Sequence, residues 1–471
     1  MTNAKADFIH LHVHTTYSLL ESTLHLEDLF KKAREYKMSA IAMTDHGNLF
    51  GAIDFYRQAH KFGIKPIIGC ELHVAPKSRF DKSTACAADS SSHLVVLAKD
   101  VEGYKNLLNL TTAGYLEGFY YRPRVDKELL ERRHQGLIAT SACRHGEIAA
   151  ALIRGDRDTA IRAAREYRDI FGAENFYLEI MENGLPDQSL INEGILEISR
   201  LLSIPVVATN DCHYLQSKDA EAYDVLKCIR NGKTLNDKNR MGITTNQLYL
   251  RSPEEMKKIF SHCPEAIANT VLIAEQCDLD LEPQHSDPFR SQNISTPDNR
   301  LKELVKNTIG EILSSNREAS RTERRDIIFR YLTEQVGSDR VARLVRFRKM
   351  RVRSAIRHVG SAMNIPDTEM EDILKMLPKG RCISLRDAVR QEPFLLDVAR
   401  GNKEIDKLLR LSQALEGLNV QSSVDRPKFI VSDSPLIETI PLFVSPNGEL
   451  VTQYCGDDLK ALGMMIFDCF A

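Results

Sequence analysis

The 471-residue sequence predicts an α/β fold for residues 1–281, with βα units that close into a barrel, followed by a mostly helical α+β region. Short apolar runs in the first half alternate with segments of helical periodicity such as Leu26–Tyr36 and Ala160–Phe171, which is typical of a parallel sheet flanked by helices. Histidine is concentrated in the same half, since 12 of the 14 precede residue 280. The predicted strands are Phe8–His14, Ala40–Thr44, Pro66–Val74, Leu94–Ala98, Gly136–Thr140, Phe176–Ile180 and Pro205–Thr209.

A polar segment separates the two regions. Residues 282–300 are rich in Pro, Ser, Asn and Gln, so we predict a linker and junction at 282–322 and a second region at 323–471. A hairpin turn is predicted at Ser445–Gly448, near the end of the second region. The helices predicted there are Arg324–Val336, Asp339–His358, Asp367–Leu377, Leu385–Arg390 and Glu404–Glu416.

The composition argues against a uniformly basic, a disulfide-rich secreted and a membrane-spanning protein. The formal net charge is −2, so any affinity for nucleic acid must come from local patches. Ten cysteines are scattered without paired spacing, which favours a reducing cytoplasm over a disulfide framework. The polar segment Met1–Asp7 does not resemble a secretion signal, and no apolar run reaches the roughly 18 residues of a membrane span. We therefore expect a cytoplasmic protein with no membrane partner.

Metal-ligand residue types follow the predicted strands. Alternate residues of a strand point to the same side, so the His-x-His pair at the end of the first strand can hold one ion, and so can the Asp-x-His pair after the seventh. The carboxyl ends of barrel strands form the working face of barrel enzymes. The candidates at these positions are His12, His14, His46, Glu71, Cys143, Asp211 and His213, and His93, which opens the fourth strand, joins them.

This set of side chains suits particular ions. Imidazole, carboxylate and one thiolate together favour zinc or a similar divalent transition metal. Eight candidates exceed what one tetrahedral ion can use, so the sequence predicts a cluster of two or three ions. Closely spaced ions can activate a water and hold both oxygens of a phosphate ester in a displacement reaction.

Each candidate also has a structural interpretation. A lone His-x-His pair in a strand is more often structural, and Cys143 alone is most simply a buried thiol. Asp45 can serve as a turn or cap residue, and Glu71 as a surface carboxylate after an apolar run. Only the arrival of the whole set at successive strand ends favours the metal interpretation.

Five segments resemble a known family. They are similar to the polymerase-and-histidinol-phosphatase (PHP) domain, in the form found in bacterial DNA polymerase III alpha subunits, the C-family polymerases. The similarity runs almost unbroken from Phe8 to about Glu282. The segments are HLHVHTTYSLLES, AIAMTDHGNLFGAIDFY, KPIIGCELHVAP, YLEGFYYRPRVDKELL and VVATNDCHY.

The resemblance implies a seven-fold, distorted TIM-like PHP barrel with a trinuclear site that holds Zn²⁺ or Mn²⁺. Glu21 and Ser22 stand where the family usually has Asp followed by Gly, and the longer Glu side chain still offers an oxygen ligand. The catalytic residues implied are His12, His14, His46, Glu71 and Asp211. The metal ligands implied by motif are His12, His14, Glu21, His46, Glu71, His93, Cys143, Asp211 and His213.

Family members with an intact site resemble metal-dependent 3′–5′ exonucleases, which implies DNA as the substrate, either single-stranded or as a primer end. Arg122 and Arg124 lie beside Tyr120 in a motif of the family, where arginines next to aromatic rings suit a phosphate backbone with a stacked base. The alternative is that the tyrosines are core aromatics and Arg122 is merely solvated. Both interpretations stay open at this point.

The second region resembles a palm that is internally deleted and truncated. From Arg324 onward the sequence is similar to the second part of the palm of C-family polymerases, and Asp468 matches the third catalytic aspartate of that family. The thumb, the Gly-rich nucleotide-binding motif and the segment with two further aspartates are missing. Phosphoryl transfer with Mg²⁺ needs several carboxylates, so we do not expect DNA synthesis from this chain alone.

A basic stretch remains in the second region. Eight Lys or Arg residues lie from Arg340 to Arg357, and on the predicted helix Arg346 shares a face with Lys349, as Arg353 does with Arg357. Such a cluster can contact DNA phosphates, although a charge run is more often a solvated helix face. We predict contacts to DNA from Arg346, Lys349 and Arg353.

The sequence leaves three functional hypotheses. The first is a metal-dependent phosphoesterase that acts as a 3′–5′ exonuclease. The second is a non-catalytic polymerase paralogue or fragment that binds DNA or replisome subunits. The third is a small-molecule phosphatase of the PHP superfamily, which the long polymerase-like region argues against.

Overall fold

Seven strands of the first half form one sheet in this computed structural model, which describes residues 6–83, 90–240, 242–281, 299–378 and 384–470. The strands follow the order β1-β2-β3-β5-β6-β7, and β4 pairs with β2. Six of the seven predicted strands are confirmed with small shifts at their ends. The confirmed strands are β1 (Ala40–His46), β2 (Lys65–Val74), β3 (Ser92–Ala98), β5 (Leu137–Thr140), β6 (Phe176–Ile180) and β7 (Val206–Ala208). The short strand β4 (Arg124–Val125) was not predicted.

The segment predicted as the first strand, Phe8–His14, closes the barrel without forming a regular strand. On one side, Ala42 N and Thr44 N donate to carbonyls of this segment, at 3.0 and 2.8 Å. On the other side, His14 N donates to Cys212 O at 2.9 Å. Side chains take some of the remaining backbone bonds, as where Thr44 Oγ1 accepts from Val13 N. The prediction of a regular strand was therefore wrong, although the segment lies between β1 and β7 where a barrel needs it.

Strand β3 runs opposite to its neighbours. It pairs antiparallel with both β2 and β5, whereas the pairs β1·β2, β5·β6 and β6·β7 are parallel. A parallel neighbour needs a crossover connection, usually a helix, and no helix lies among the described residues of the 75–91 connection. The prediction of an all-parallel sheet is corrected accordingly.

Helices cover the outside of this sheet, and several begin at a side-chain cap. Asp100, Asp126 and Asp156 each accept a hydrogen bond from a backbone N–H of the first turn, which satisfies a donor that has no partner within the helix. Both helices predicted for this half are confirmed. The helices are α1 (Leu26–Glu35), α2 (Ala52–Phe62), α3 (Val101–Leu116), α4 (Lys127–Arg132), α5 (Glu147–Ile153), α6 (Arg157–Phe171), α7 (Gln188–Leu202), α8 (Ala220–Asn231), α9 (Pro253–Ile259) and α10 (Pro264–Gln276).

The second region combines a five-stranded sheet with helices. Its sheet has the order β10-β11-β8-β9-β12, formed by β8 (Val341–Lys349), β9 (Asn419–Val431), β10 (Leu442–Val444), β11 (Leu450–Cys455) and β12 (Ile466–Asp468). The predicted hairpin turn at Ser445–Gly448 joins β10 to β11 and is confirmed. The helices are α11 (Asn299–Ser315), α12 (Arg321–Val336), α13 (Val352–Ala362), α14 (Asp367–Met376), α15 (Leu385–Gln391), α16 (Pro393–Gly401), α17 (Lys403–Leu415) and α18 (Gly456–Ala461).

The helix predicted over Asp339–His358 was wrong. Its first half is the strand β8, its second half begins the helix α13, and Met350 and Arg351 lie between them. The apolar residues of β8 pack into the second sheet, and this tertiary pairing overrides the helical interpretation of the charged positions. Arg346 and Lys349 therefore do not share a helix face.

The predicted linker lies largely outside the described residues, because 282–298 is not described. The rest of the predicted junction contains the helix α11 and a short turn before α12. Among the described residues, no helix is both long enough and apolar enough to cross a bilayer.

The two regions share an apolar core. Leu344, Ile430 and Tyr454 of the second sheet belong to the same buried cluster as the inward-facing residues of α1, α2 and α3. Gln453 Oε1 accepts from Leu49 N at 2.8 Å, and Thr16 Oγ1 accepts from Asn419 N at 3.2 Å. The second sheet is therefore packed directly behind the loops that follow Val13 and β1.

A buried carboxyl group near the contact between the second sheet and the barrel predicts that the free energy of unfolding depends on pH. Burial raises the pKa of Asp458 from 3.8 to about 6. Between these values the folded chain holds a proton that the unfolded chain has lost, so stability falls as pH rises through this window. We expect Asp458→Asn to raise the free energy of unfolding at pH 8 by on the order of 2 kcal/mol and to add nothing at pH 4.

Urea unfolding at both pH values checks this prediction. Asp457→Asn is the matched control, because Asp457 is the exposed neighbour on the same helix, α18. An equal gain from Asp458→Asn at pH 4 and pH 8 would contradict the predicted titration.

Candidate metal centre

The nine predicted ligands form one buried cluster at a single end of the barrel. Glu71 contacts four imidazoles, and Asp211 contacts three. The two remaining members lie at the edge: Glu21 Oε2 is 3.1 Å from His46 Nε2, and Cys143 Sγ is 3.7 Å from His93 Nδ1. The residues that the sequence brings to successive strand ends therefore meet in space.

Glu71 lies at the centre of this cluster with its side chain almost fully buried. Its oxygens are 2.6 Å from His46 Nδ1, 2.9 Å from His93 Nδ1, 3.4 Å from His12 Nε2 and 3.6 Å from His14 Nε2. Burial alone raises the pKa of Glu71, but the imidazoles outweigh burial and hold that pKa well below the usual carboxyl value. The carboxylate is therefore charged and shared among several ligands.

The reversed direction of β3 explains how His93 joins the others. In the register of the β2·β3 pair, His93 lies opposite His73, two residues beyond Glu71. An all-parallel strand would carry its first residues to the far end of the barrel. Because β3 is antiparallel, its beginning lies beside the end of β2, and His93 faces the site.

Asp211 is held in an unusual backbone conformation. Its φ is +47°, in the left-handed region that residues other than glycine rarely adopt, and Ala142, just before Cys143, has a φ of +59°. Such strain costs on the order of 1–3 kcal/mol and persists where the surroundings enforce it, often at functional sites. Here it aims Asp211 Oδ1 at the Nε2 atoms of His14 and His213, at 3.2 and 3.1 Å.

The three histidines nearest to Asp211 present the same ring nitrogen to the cluster. His12 Nδ1 contacts Glu179 Oε2 at 3.0 Å, His14 Nδ1 contacts Ser18 Oγ at 3.3 Å, and His213 Nδ1 contacts Glu21 O at 2.6 Å. Acceptors at Nδ1 place the proton of a neutral imidazole there and leave the Nε2 lone pair free. Metal-ligating histidines have this arrangement, with the second nitrogen bound to a protein acceptor.

Several buried polar atoms of the cluster form no hydrogen bond of acceptable geometry, although some of them, such as His46 Nδ1 and Glu71 Oε2, lie within ion-pair distance of each other. They are His12 Nε2, His14 Nε2, His46 Nδ1, Glu71 Oε2 and Asp211 Oδ1. Buried polar atoms are nearly always satisfied, and buried charges are paired or coordinate metals. The chemistry of this donor set therefore fits divalent cations.

The geometry favours more than one ion. Three groups of ligand atoms have all members within 4.8 Å of one another, and the groups share His14, His46 and Glu71. The overlap places the candidate ion positions close together, and the two oxygens of the Glu71 carboxylate can serve two ions at once. The groups are His14, His46 and His213; His12, His14 and Glu71; and His46, Glu71 and His93.

Glu21 is held at the mouth of the cluster by two arginines. Its Oε1 accepts from Arg122 at 3.1 Å and also from Arg230. His46, Arg230 and Arg122 together outweigh burial and hold the pKa of Glu21 far below its usual value. Glu21, which stands where the family usually has Asp, thus contacts the cluster through Oε2. Its other oxygen, Oε1, contacts the two arginines. Arg230, on α8, is distant in sequence from every motif, so sequence reasoning missed it.

Comparison with known proteins identifies both regions. Residues 10–183 match the PHP domain, and residues 320–471 match the bacterial DNA polymerase III alpha NTPase domain. The chain combines a PHP domain with a DNA polymerase III alpha-type domain.

The curated relatives are similar along nearly the whole chain. A DNA polymerase III subunit alpha from Borreliella burgdorferi is 33% identical over 98% of this chain and 48% of its own length. The corresponding subunits are 30% identical in Treponema pallidum, over 99% of this chain and 47% of that protein, and 28% identical in Thermus aquaticus, over 99% and 50%. The chain spans about half the length of these relatives.

The alignment length is relevant to the internal deletion that the sequence predicts in the palm-like region. The match to the Borreliella burgdorferi protein extends over 555 residues, more than the 471 of this chain, so that relative carries residues with no counterpart here.

A solved two-domain protein from Bacteroides vulgatus containing a predicted PHP-like metal-dependent phosphoesterase is 14% identical, over 57% of this chain and 65% of that chain, with a TM-score of 0.27.

Arg124 serves the PHP domain structurally. It is fully buried, and its guanidinium donates to the carbonyls of Gly118, Ser90, Arg79 and Asp81. Those carbonyls belong to two connecting segments, which Arg124 fastens together. The prediction that Arg124 contacts DNA is corrected, because no part of its donor fork faces solvent.

Sequence reasoning also missed Glu179, a buried group of the PHP domain, and did not identify the partners of the buried Asp45. Glu179 contacts His12 from within β6, and Asp45 accepts from Thr15 N at 2.6 Å and from Thr15 Oγ1 at 2.7 Å, which fixes the turn after His14. A glutamate within the apolar run FYLEI was a visible signal for Glu179. Asp45 was interpreted only as a turn or cap residue.

The site residues predicted for the DNA polymerase III alpha-type domain lie on different elements of that domain. Asp468 lies in β12 opposite Lys428, and its Oδ1 accepts from Phe470 N at 2.9 Å. Arg346, Lys349 and Arg353 are all exposed, the first two on β8 and the third on α13.

Zinc is expected to stabilise the folded chain through the PHP cluster. A ligand that binds only the folded state at 100 times its Kd adds about 2.7 kcal/mol to the free energy of unfolding. We expect Zn²⁺ to raise the Tm of metal-free protein and His14→Ala to remove most of that rise, because His14 belongs to two of the three ligand groups. His60→Ala is the control, since His60 is exposed on α2. Equal rises in both variants would contradict the assignment.

Proposed function

We propose that the PHP domain is a metal-dependent phosphoesterase that acts as a 3′–5′ exonuclease on DNA, and that this chain alone does not polymerise. The observation that carries the proposal is the set of overlapping ligand groups with unpartnered buried Nε2 and carboxylate atoms. We propose two or three Zn²⁺ ions, or Mn²⁺, as the cofactors. Cytoplasmic location and replisome partners follow as proposals from the polymerase subunits that the chain resembles.

The side chains and the bound ions would have different roles in such a site. His12, His14, His46, Glu71 and Asp211 would hold the ions. Bound divalent ions supply an activated water and neutralise the charge that develops on a phosphate ester. The protein contributes a barrel end in which these side chains, fully buried except for His46 and the edge of Asp211, already converge.

The mouth of the site suits a phosphodiester substrate. The side chain of Arg122 is one-third exposed and touches Glu21, so its guanidinium lies between solvent and the cluster. Tyr121 is half exposed beside it, with a left-handed φ of +59°. A guanidinium next to an exposed ring fits a backbone phosphate followed by a stacked base.

The basic surface of the second region supports DNA binding in a form that differs from the sequence prediction. Arg346 and Arg348 are two residues apart on β8, so they point to the same side of the strand, and both are exposed. Lys349 and Arg353 extend the exposed basic stretch beyond the strand. We propose that this stretch contacts phosphates of the DNA.

Polymerisation requires more carboxylates than the second region offers at Asp468. Any residual site there would take Mg²⁺, but two-metal phosphoryl transfer depends on several acidic ligands. We therefore propose that Asp468 does not support DNA synthesis in this chain.

Two measurements on the native chain and His12→Ala/His14→Ala test the exonuclease. We expect bound metal and digestion of 3′-labelled single-stranded DNA, with both lost in the double variant and turnover reduced at least about 100-fold. Metal content is measured by elemental analysis and digestion on a sequencing gel. His60→Ala again serves as the control with an exposed histidine.

The other outcomes separate the remaining hypotheses. Bound metal and turnover of phosphate monoesters, with DNA left intact, would replace the exonuclease by a small-molecule phosphatase. Salt-sensitive DNA binding without metal or turnover would support the non-catalytic, DNA- or replisome-binding alternative.

The basic strand predicts a change in the salt dependence of DNA binding. Each phosphate contact to single-stranded DNA contributes about 0.7 to the slope of log affinity against log salt. Arg346→Ala/Arg348→Ala is therefore expected to reduce this slope by about 1.4, measured with a fluorescent oligonucleotide in EDTA so that digestion is suppressed. Arg386→Ala/Arg390→Ala on α15 removes the same charge from exposed positions. Equal slopes in the two double variants would exclude a specific role for the strand.

A further inference from the structure

Glu179 is a fully buried carboxylate in the strand β6. Its side chain has no exposed surface, and its neighbours in the strand, Phe176–Ile180, are buried as well. A buried charge is costly unless hydrogen bonds and opposite charge compensate it, so its retention needs an explanation. No motif of the sequence accounts for it.

Four donors converge on this carboxylate. Oε2 accepts from His12 Nδ1 at 3.0 Å and from Thr209 Oγ1 at 2.5 Å. Oε1 accepts from Ala142 N at 3.1 Å and from Thr140 Oγ1. Both oxygens are therefore occupied, and the group is fully satisfied by the protein.

The donors come from three separate segments, and each segment carries a member of the metal cluster. His12 is itself a member. Ala142 immediately precedes Cys143, and Thr209 lies two residues before Asp211. A single carboxylate thus connects the ends of the segment after Phe8, of β5 and of β7.

We infer that Glu179 is a positioning residue of the metal centre, which fixes His12 with its proton on Nδ1 so that Nε2 is available to an ion. This inference rests on the proposed metal centre. His12 Nε2 lies 3.4 Å from Glu71 Oε1 and 3.4 Å from Asp211 Oδ1, and it has no hydrogen-bond partner. A carboxylate behind a ligating imidazole orients the ring and makes it a better ligand.

Glu179→Gln is a sharp probe because the hydrogen bonds fix the orientation of the new amide. Ala142 N can only donate, so the amide oxygen must take the place of Oε1. The NH₂ group then faces His12 Nδ1 and donates to it. Thr209 can rotate its hydroxyl to accept the other amide proton. The proton of a neutral His12 is thereby moved to Nε2, the atom that faces the cluster.

The experiment measures metal affinity of the full chain by titrating metal-free protein with Zn²⁺. We expect Glu179→Gln to weaken binding of at least one ion by about 10- to 100-fold, with an unchanged far-UV circular dichroism spectrum. Glu182→Gln is the matched control, because Glu182 is an exposed glutamate three residues further along the chain. Unchanged affinity in Glu179→Gln would overturn the inference, whereas absence of binding by the native chain would overturn the proposed metal centre instead.

A second measurement needs no variant at Glu179 and covers the case in which that variant does not fold. Nitrogen NMR of histidine-labelled, zinc-loaded native protein, with His12→Ala used to assign the signal, reports which ring nitrogen carries the proton. A proton on Nδ1 of His12 is expected. A proton on Nε2 would overturn the inference.

Discussion

The buried carboxylate of Glu71 is the constraint on which the barrel end depends. Four imidazole nitrogens lie within 3.6 Å of its two oxygens, and its side chain is 1% exposed. An uncompensated charge at such depth would cost several kcal/mol, so the surrounding segments must supply positive charge or hold an ion that does. The strained φ of Asp211, the reversed strand β3 and the fixed imidazole rings are all consistent with this requirement.

The clustering of the proposed ligands could be predicted from sequence because their chemistry and their spacing agree. His12 with His14, and Asp211 with His213, follow the two-residue period of an extended chain, and both pairs face the cluster in the structure. The prediction of His93 rested on incomplete reasoning. In an all-parallel barrel, a residue at the beginning of its strand would lie at the opposite end from the cluster. Pairing direction depends on the connection between strands, and the apolar run of β3 carries no signal of it.

Other features depend on contacts between distant parts of the chain. The charged stretch after Arg340 has positions compatible with a helix, and only pairing with β9 and β11, both far along the chain, makes it a strand. Arg124 and Arg122 belong to one motif, yet one is buried against carbonyls and the other reaches Glu21. Spacing alone does not separate these roles, because burial is set by the packing of the whole domain.

The second sheet belongs to the physical environment of the metal centre. Thr16 lies between His14 and Glu21 and accepts from Asn419 N of β9, while Tyr17 packs against Phe347 of β8 with ring centroids 5.4 Å apart. Leu49, three residues after His46, donates to Gln453 of β11. The loops that carry the ligands are therefore held from behind by the polymerase-type domain. Since misplacement of a ligand by about 1 Å is enough to impair a site, the sheet would contribute to the geometry of the proposed metal centre whether or not it ever contacts a nucleotide.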